Sequence, residues 1–248
     1  MSEIVFEGRV SAEAILSCGR RTVHRLLLSP HSDLKRLERL IELALSQNVP
    51  VHIVRTELLA QLAGDTAHGG VIALCSEREY QPVEEMLGWV DSQREPTLIF
   101  VLTGFEDAYN MGYALRVAEA FGAGWVLCDR KEWLKDEPTV LRSSAGAFER
   151  LPISVPDSLR PALQGLKERG VRLLAALEEG TIGLYDTDLR GSVAWMVGGE
   201  KRGLSQHLRE IADASVRIPT RPDAPPLPAS HAVAILAAET FRQRQQKR

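Results

Sequence analysis

No uninterrupted apolar run of about 18 residues occurs in the sequence, and a helix needs about that many to cross a bilayer, so no membrane span is expected. The opening stretch, MSEIVFEGRV, has neither the basic start nor the apolar centre of a secretory signal, which makes a cytoplasmic location the expectation. Cysteine is scarce. Cys18, Cys75 and Cys128 are odd in number and widely spaced, which favours buried thiols in a reducing compartment over a disulfide framework or a zinc site, and no metal is expected. Neither the Gly-x-Gly-x-x-Gly of a dinucleotide fold nor the Gly-Lys-Ser/Thr of a phosphate loop is present. An excess of positive charge is missing too: 30 Lys and Arg stand against 33 Asp and Glu, a net charge of −3. That balance argues against wholesale coating of nucleic acid but leaves room for local contacts.

What is present is ordinary soluble chemistry, 44% hydrophobic and 25% charged over 248 residues, a length that suits two domains. Positive charge gathers at Arg20, Arg21, His24 and Arg25, and again at Arg242, Arg244, Lys247 and Arg248. Each patch can neutralise phosphates, or be a solvated helix end and a chain terminus. Residues 1–76 alternate helix and strand signals. Helices are predicted over 11–18 with Ser11 as N-cap, over 32–46 with Leu34, Leu37, Leu40, Ile41 and Leu45 at helical spacing, and over 56–62 behind a Thr56 cap. Strands are predicted over 23–28, 51–54 and 71–75. Residues 77–96 are richer in Glu, Gln, Asp and Pro, carry one weak helical stretch around 83–90, and read as an interdomain connection.

From residue 97 to 248 the alternation restarts with longer apolar strands: 98–104, 125–129, 171–177, 193–199 and 215–219. Near-continuous apolar strands are buried on both faces and imply a parallel sheet. With helices predicted over 110–121, 157–169, 204–212 and 230–243, these five strands make a doubly wound α/β domain. Ligands in such sheets bind beyond the carboxyl ends of the strands. GFEDAYNMG, the EEG loop, GGEKRGLS and IPTRPDAPPLPAS all fall there. Asn110 is a candidate N-cap for the helix that carries Arg116. Arg116 reads either as a surface residue or as a contact for an anion near the helix start. Gly198 and Gly199 permit close backbone approach beside Glu200, and a simple turn is the alternative. The proline-rich loop, with Pro219, Pro222, Pro225, Pro226 and Pro228, is stiff and short of N–H donors. It could wall an adenine or be a plain crossover.

In this order the segments resemble the three motifs of SpoU-type RNA methyltransferases. DAYNMGYALRVAEAFGAGWVLC resembles the first, with Asn110, Gly112, Arg116, Ala118, Phe121 and Gly122 in step. LRSSAGAFERLPI looks like the Ser/Gly/Ala segment that follows it. MVGGEKRGLS is similar to the second, matching Gly198, Glu200, Gly203 and Leu204. IPTRPDAPPLPASHAVAILAAETFRQ holds the place of the third, matching Ile218, Pro219, Leu227, Ser230, Ala232, Glu239 and Arg242.

The resemblance implies an α/β methyltransferase domain over 97–248 whose end is threaded into a deep trefoil knot. A small α/β RNA-recognition domain over 1–76 precedes it. It implies S-adenosylmethionine as cofactor, structured ribosomal or transfer RNA as partner, ribose 2'-O-methylation as reaction, and a homodimer formed through the C-terminal domain. Arg116 would clamp the phosphate beside the acceptor ribose, since a free arginine is too basic to be the proton acceptor. Asn110 would position Arg116 or the RNA, and Glu200 would orient the arginine or a partner-subunit group. Gly198, Gly199, Ile218, Pro219, Leu227 and Pro228 would shape the cofactor pocket, and Arg9, Arg20, Arg21, Arg25 and Arg142 would contact RNA.

The third motif departs from the family. Pro226-Leu227-Pro228 stands where the family has Ser-Leu-Asn, and Ala108 stands where a proline is common. Losing one oriented polar contact costs about 10²–10³ in rate. The alternative is therefore a catalytically weakened or inactive homologue that binds RNA. Ser230 and His231 are the nearby side chains able to compensate.

Overall fold

The computed structural model describes residues 3–64 and 68–245. It divides into two units, Met1–Glu79 with Glu137–Arg150, and Tyr80–Asp136 with Leu151–Arg248. The first unit holds strands β1 (Ile4–Glu7), β2 (Val23–Leu28), β3 (Val51–Ile53) and β4 (Val71–Cys75) and helices α1 (Arg9–Cys18), α2 (Leu34–Ser46) and α3 (Thr56–Ala63). The strands pair in the order β1-β4-β2-β3, with β4 antiparallel to both neighbours and β3 parallel to β2. Alternation sorts the core. Leu27, Ile72 and Leu74 pack on Leu59 of α3, while Phe6, Leu26 and Leu28 are buried on the other register. The unit is completed by α6 (Glu137–Ser143) and α7 (Ala147–Arg150), which lie later in the chain.

Local expectations shift in detail. β1 carried no sequence prediction. Ser11 is buried inside α1, whose N-cap is Gly8 at φ 85°, and Thr56 is the first residue of α3 behind an Arg55 cap. In α2, capped by Asp33, the buried stripe is Leu37, Leu40 and Ala44, with Leu34 and Leu45 exposed. The three cysteines are free thiols, and burial pushes that of Cys75 up to about 12.

In the second unit, α4 (Val83–Ser92) and β5 (Leu98–Thr103) are followed by α5 (Ala108–Ala120) and β6 (Trp125–Cys128). After the inserted α6 and α7 come β7 (Ile153–Ser154), α8 (Leu159–Glu168), β8 (Arg172–Ala176), β9 (Ile182–Gly183) and β10 (Val193–Gly198). The chain closes with α9 (Gln206–Ile211), β11 (Ala214–Arg217) and α10 (Ala229–Gln245). Among the described residues seven strands, not five, make an all-parallel sheet in the order β7-β6-β5-β10-β8-β11-β9. The two additions, β7 and β9, are two-residue edge strands, too short for any periodic signal. The stretch 77–96 is more ordered than its composition suggested, because Met86 and Val90 of α4 are buried against Trp125, Leu163 and Leu166. That face of the sheet is covered by α4, α8 and α9. On the other, α10 packs on α5 and β10, with Trp195 Nε1 donating to Thr240 Oγ1 at 3.0 Å.

No helix among the described residues is long and apolar enough to cross a membrane.

Candidate active site

Parallel strands bring their carboxyl ends to one edge, and there the loops after β8, β10 and β11 surround a cavity of about 530 Å³. Gly198, Gly199, Glu200, Ile218 and Leu227 all stand in its wall. Pro219 and Pro228 do not; Pro222, Pro225 and Pro226 of the same loop do. Glu178, Glu179, Arg202, Arg209 and Thr220 join the wall without having been singled out from the sequence, although the position of the EEG loop after a strand was a usable signal. The lining is mixed: Leu177, Val197 and Leu204 give apolar surface, and the three glutamates give exposed acceptors.

The Gly-Gly pair is explained by backbone crowding. A Cβ on Gly199 would lie 1.9 Å from Gly104 O, and one on Gly198 would lie 2.1 Å from Gly203 C. Gly199 N donates to Thr103 O at 2.6 Å, and Gly203 N to Gly199 O at 3.0 Å, which closes the turn after β10. The turn after β5 is fixed from the other side, where the Asp129 carboxylate accepts from Gly104 N–H at 3.0 and 3.2 Å. Burial raises the Asp129 carboxyl above its ordinary value. Lys201 pairs with Glu106 across the two turns and, by its hydrogen bond, lowers the Glu106 carboxyl.

Asn110 is not the cap of α5. Asp107 is, its Oδ1 accepting from Asn110 N at 2.7 Å, so the helix starts at Ala108. The Asn110 side chain is thereby released for another contact: Ser230 Oγ donates to Asn110 Oδ1 at 3.1 Å. Arg116 is exposed and lies on the outward ridge with Tyr109 and Tyr113, at spacings of three and four along α5, and it is not part of the cavity wall.

The basic residues expected to meet RNA separate into two kinds. Arg21 is a correction: its side chain is 0% exposed and ion-paired to Glu149 at 2.7 Å and to Glu137 at 2.8 Å, so its guanidinium faces no solvent-borne phosphate. Arg9 pairs with Glu13, Arg25 with Glu3 and Arg142 with Glu7, all with exposed guanidinium groups, and Arg20 Nε donates to Glu149 O at 2.7 Å. Near the chain end, Arg242 pairs with Glu239. Arg244 donates to the carbonyls of Leu189, Pro96, Thr97 and Gly191. Arg244 thus ties α10 to distant loops, while the Arg242 pair stays within α10; Lys247 and Arg248 lie outside the described residues. Among the described residues there is no group of three or more His, Cys, Asp or Glu placed to hold a metal ion.

Comparison with known proteins gives a consistent picture. A family model described as "SpoU rRNA Methylase family" matches residues 97–238, and one described as "RNA 2'-O ribose methyltransferase substrate binding" matches residues 5–81. The chain is 32% identical over 222 residues to a 23S rRNA (guanosine-2'-O-)-methyltransferase RlmB of Xanthomonas campestris pv. campestris, covering 90% of this chain and 89% of that one. It is 34% identical over 212 residues to the RlmB of Bordetella pertussis, covering 85% of each. Its fold matches the crystal structure of the SpoU methyltransferase AviRb from Streptomyces viridochromogenes in complex with AdoMet at a TM-score of 0.83 and 22% identity, over 99% of this chain and 92% of that chain.

Proposed function

The chain belongs to the SpoU rRNA methylase family, and from that membership we propose that it is an S-adenosylmethionine-dependent RNA methyltransferase acting on the 2'-hydroxyl of a guanosine in 23S rRNA. The observation that carries the reading is the cavity at the carboxyl edge, built by the second and third motifs of the matched segment. Its volume falls within the range of about 300–1,000 Å³ typical of small-molecule sites. The residues fit the cofactor. Apolar Leu177, Ile218 and Leu227 suit an adenine, and Glu178, Glu179 and Glu200 suit hydroxyl donors and a cationic centre. The prolines keep that wall rigid without the entropy of a flexible loop. Bound there, the cofactor supplies an activated methyl group on a sulfonium.

The protein's part is alignment. Arg116 clamps the phosphate beside the acceptor ribose through its two-pronged guanidinium. Asn110 positions that ribose, and Glu200, on the cavity wall, orients the arginine or a partner-subunit group. Because Arg116 lies off the wall of its own cavity, the site is complete only in a homodimer formed through the C-terminal unit. Exposed Tyr109, Tyr113 and Phe241 on α5 and α10 support that face as the contact. The end of the chain forms a deep trefoil knot, a reading supported by the 218–232 segment sharing one cavity with the loops after β8 and β10 before α10 packs on α5. The first unit, residues 1–76 with the later α6 and α7, recognises RNA through Arg9, Arg20, Arg25 and Arg142, and the rest of 97–248 methylates, in the cytoplasm where ribosomal RNA is available.

Pro226 and Pro228 favour a second reading, an RNA-binding homologue with weakened catalysis. Calorimetry with S-adenosylmethionine and tritiated methyl transfer to total ribosomal RNA separate the two. The first reading expects both binding and transfer, with Arg116→Ala lowering transfer by about 10²-fold while cofactor binding persists. Binding without transfer selects the second reading, and no binding at millimolar cofactor defeats the first.

A further inference from the structure

Asn110 and Ser230 belong to the first turns of α5 and α10, two helices packed against each other. Ser230 is 3% exposed, so its hydroxyl needs a partner inside the protein. That partner is Asn110 Oδ1 at 3.1 Å; the other polar atom in reach, His231 Nδ1, lies farther away at 3.5 Å. An asparagine amide is an acceptor at one end and a double donor at the other, and its terminal torsion is soft. A buried donor bound at the oxygen removes that freedom, and the NH₂ group is left facing away from Ser230 as a fixed donor.

The start of α10 explains why Ser230 is in reach. The Pro228 carbonyl accepts from His231 N at 2.9 Å and Ala232 N at 3.0 Å, so the helix begins directly behind the proline. Ser230 is thereby held in the first turn, on the side that meets α5. Pro226 and Pro228 bring no side-chain donor of their own.

We propose that Ser230 is a positioning residue for the methyl-transfer reaction: its hydroxyl fixes the Asn110 amide with the NH₂ aimed at an oxygen of the acceptor nucleotide, a polar function that the Pro226-Leu227-Pro228 segment cannot supply. The inference rests on the reading of Asn110 as part of the active site. Ser230 itself touches no reacting atom and acts through Asn110.

A double-mutant cycle tests it on the full-length protein, with total ribosomal RNA as acceptor. Ser230→Ala removes no contact with a reacting atom, only the hydrogen bond that orients Asn110, and should lower kcat about tenfold (about 1.4 kcal/mol), with KM for RNA and cofactor affinity held within about twofold. Ser230→Thr, which keeps the hydroxyl, should restore most of the rate. In an Asn110→Ala background, Ser230→Ala should cost nothing further, because residues that act through one another are not additive. Unchanged kcat in Ser230→Ala, or losses that multiply in the double variant, overturns the inference. NMR of the Asn110 side-chain NH₂ pair decides the matter even if the wild type transfers no methyl, an outcome that defeats the proposed function separately. Ser230→Ala should shift and broaden that pair while Ser230→Thr preserves it, and signals indifferent to Ser230→Ala overturn the proposal.

Discussion

Arg21 sits between Glu149 and Glu137 with its guanidinium 4.4 Å from the centre of the Phe6 ring, entirely out of water. Burial works against its charge, but the two carboxylates outweigh it and hold the group above its ordinary value. In the sequence the same residue is one of four basic groups within six positions and reads as a phosphate contact. Nothing local reveals otherwise, because its closest acid is 128 positions away. Glu149→Ala removes half of the compensation of a buried cation and should lower the unfolding free energy by about 3–5 kcal/mol, read from urea denaturation. Arg25→Ala, which breaks an exposed pair with Glu3, should change it by less than about 1 kcal/mol. A comparable effect from both variants would refute this contrast.

At the scale of elements, long apolar strands were legible and short ones were not. β2 and β4 fall on their predicted residues, and β5, β6, β8, β10 and β11 within one or two positions; in β4, β5, β6 and β10 burial on both faces writes a continuous apolar run. β7 and β9 depend on neighbours that sequence periodicity cannot name. Helix starts moved for a chemical reason: several polar residues near a start can cap, and only the backbone path chooses among them. Asn110 was the cap expected for α5, but the backbone path puts Asp107 there, and that frees Asn110 to meet α10. Asp107→Ala should therefore cost about 1 kcal/mol in thermal denaturation, and Asp107→Ser should cost much less. If alanine is as stable as the wild type, the cap assignment fails.

Across the whole molecule, neither unit is one continuous stretch of the chain. α6 and α7, which lie between β6 and β7 in sequence, belong to the first unit and supply both carboxylates that neutralise Arg21. A fragment ending at Glu79 contains every strand of the first sheet but lacks Glu137, Glu149 and the Phe148 ring, which enclose that arginine. Such a fragment should show no cooperative melt by circular dichroism, since it loses the buried Val140, Leu141 and Phe148, and the removal of core side chains costs several kcal/mol against the small stability of a unit this size. A sharp two-state transition in the fragment would count against this assignment.

The sequence by itself determined the α/β class, the parallel sheet, its carboxyl-edge loops and the family, because hydrophobic periodicity and short motifs are local properties of the chain. It also placed Glu200 and the glycine pair at a strand end, and the structure has all three in the cavity wall. Tertiary structure decided which charges are free and which are spent, which residue caps α5, and which hydroxyl meets Asn110. Those outcomes depend on pairs such as Arg21 with Glu149 and Ser230 with Asn110, each more than a hundred positions apart. Hydrogen bonds and ion pairs act over a few ångströms of space, and no local pattern in the sequence records that distance.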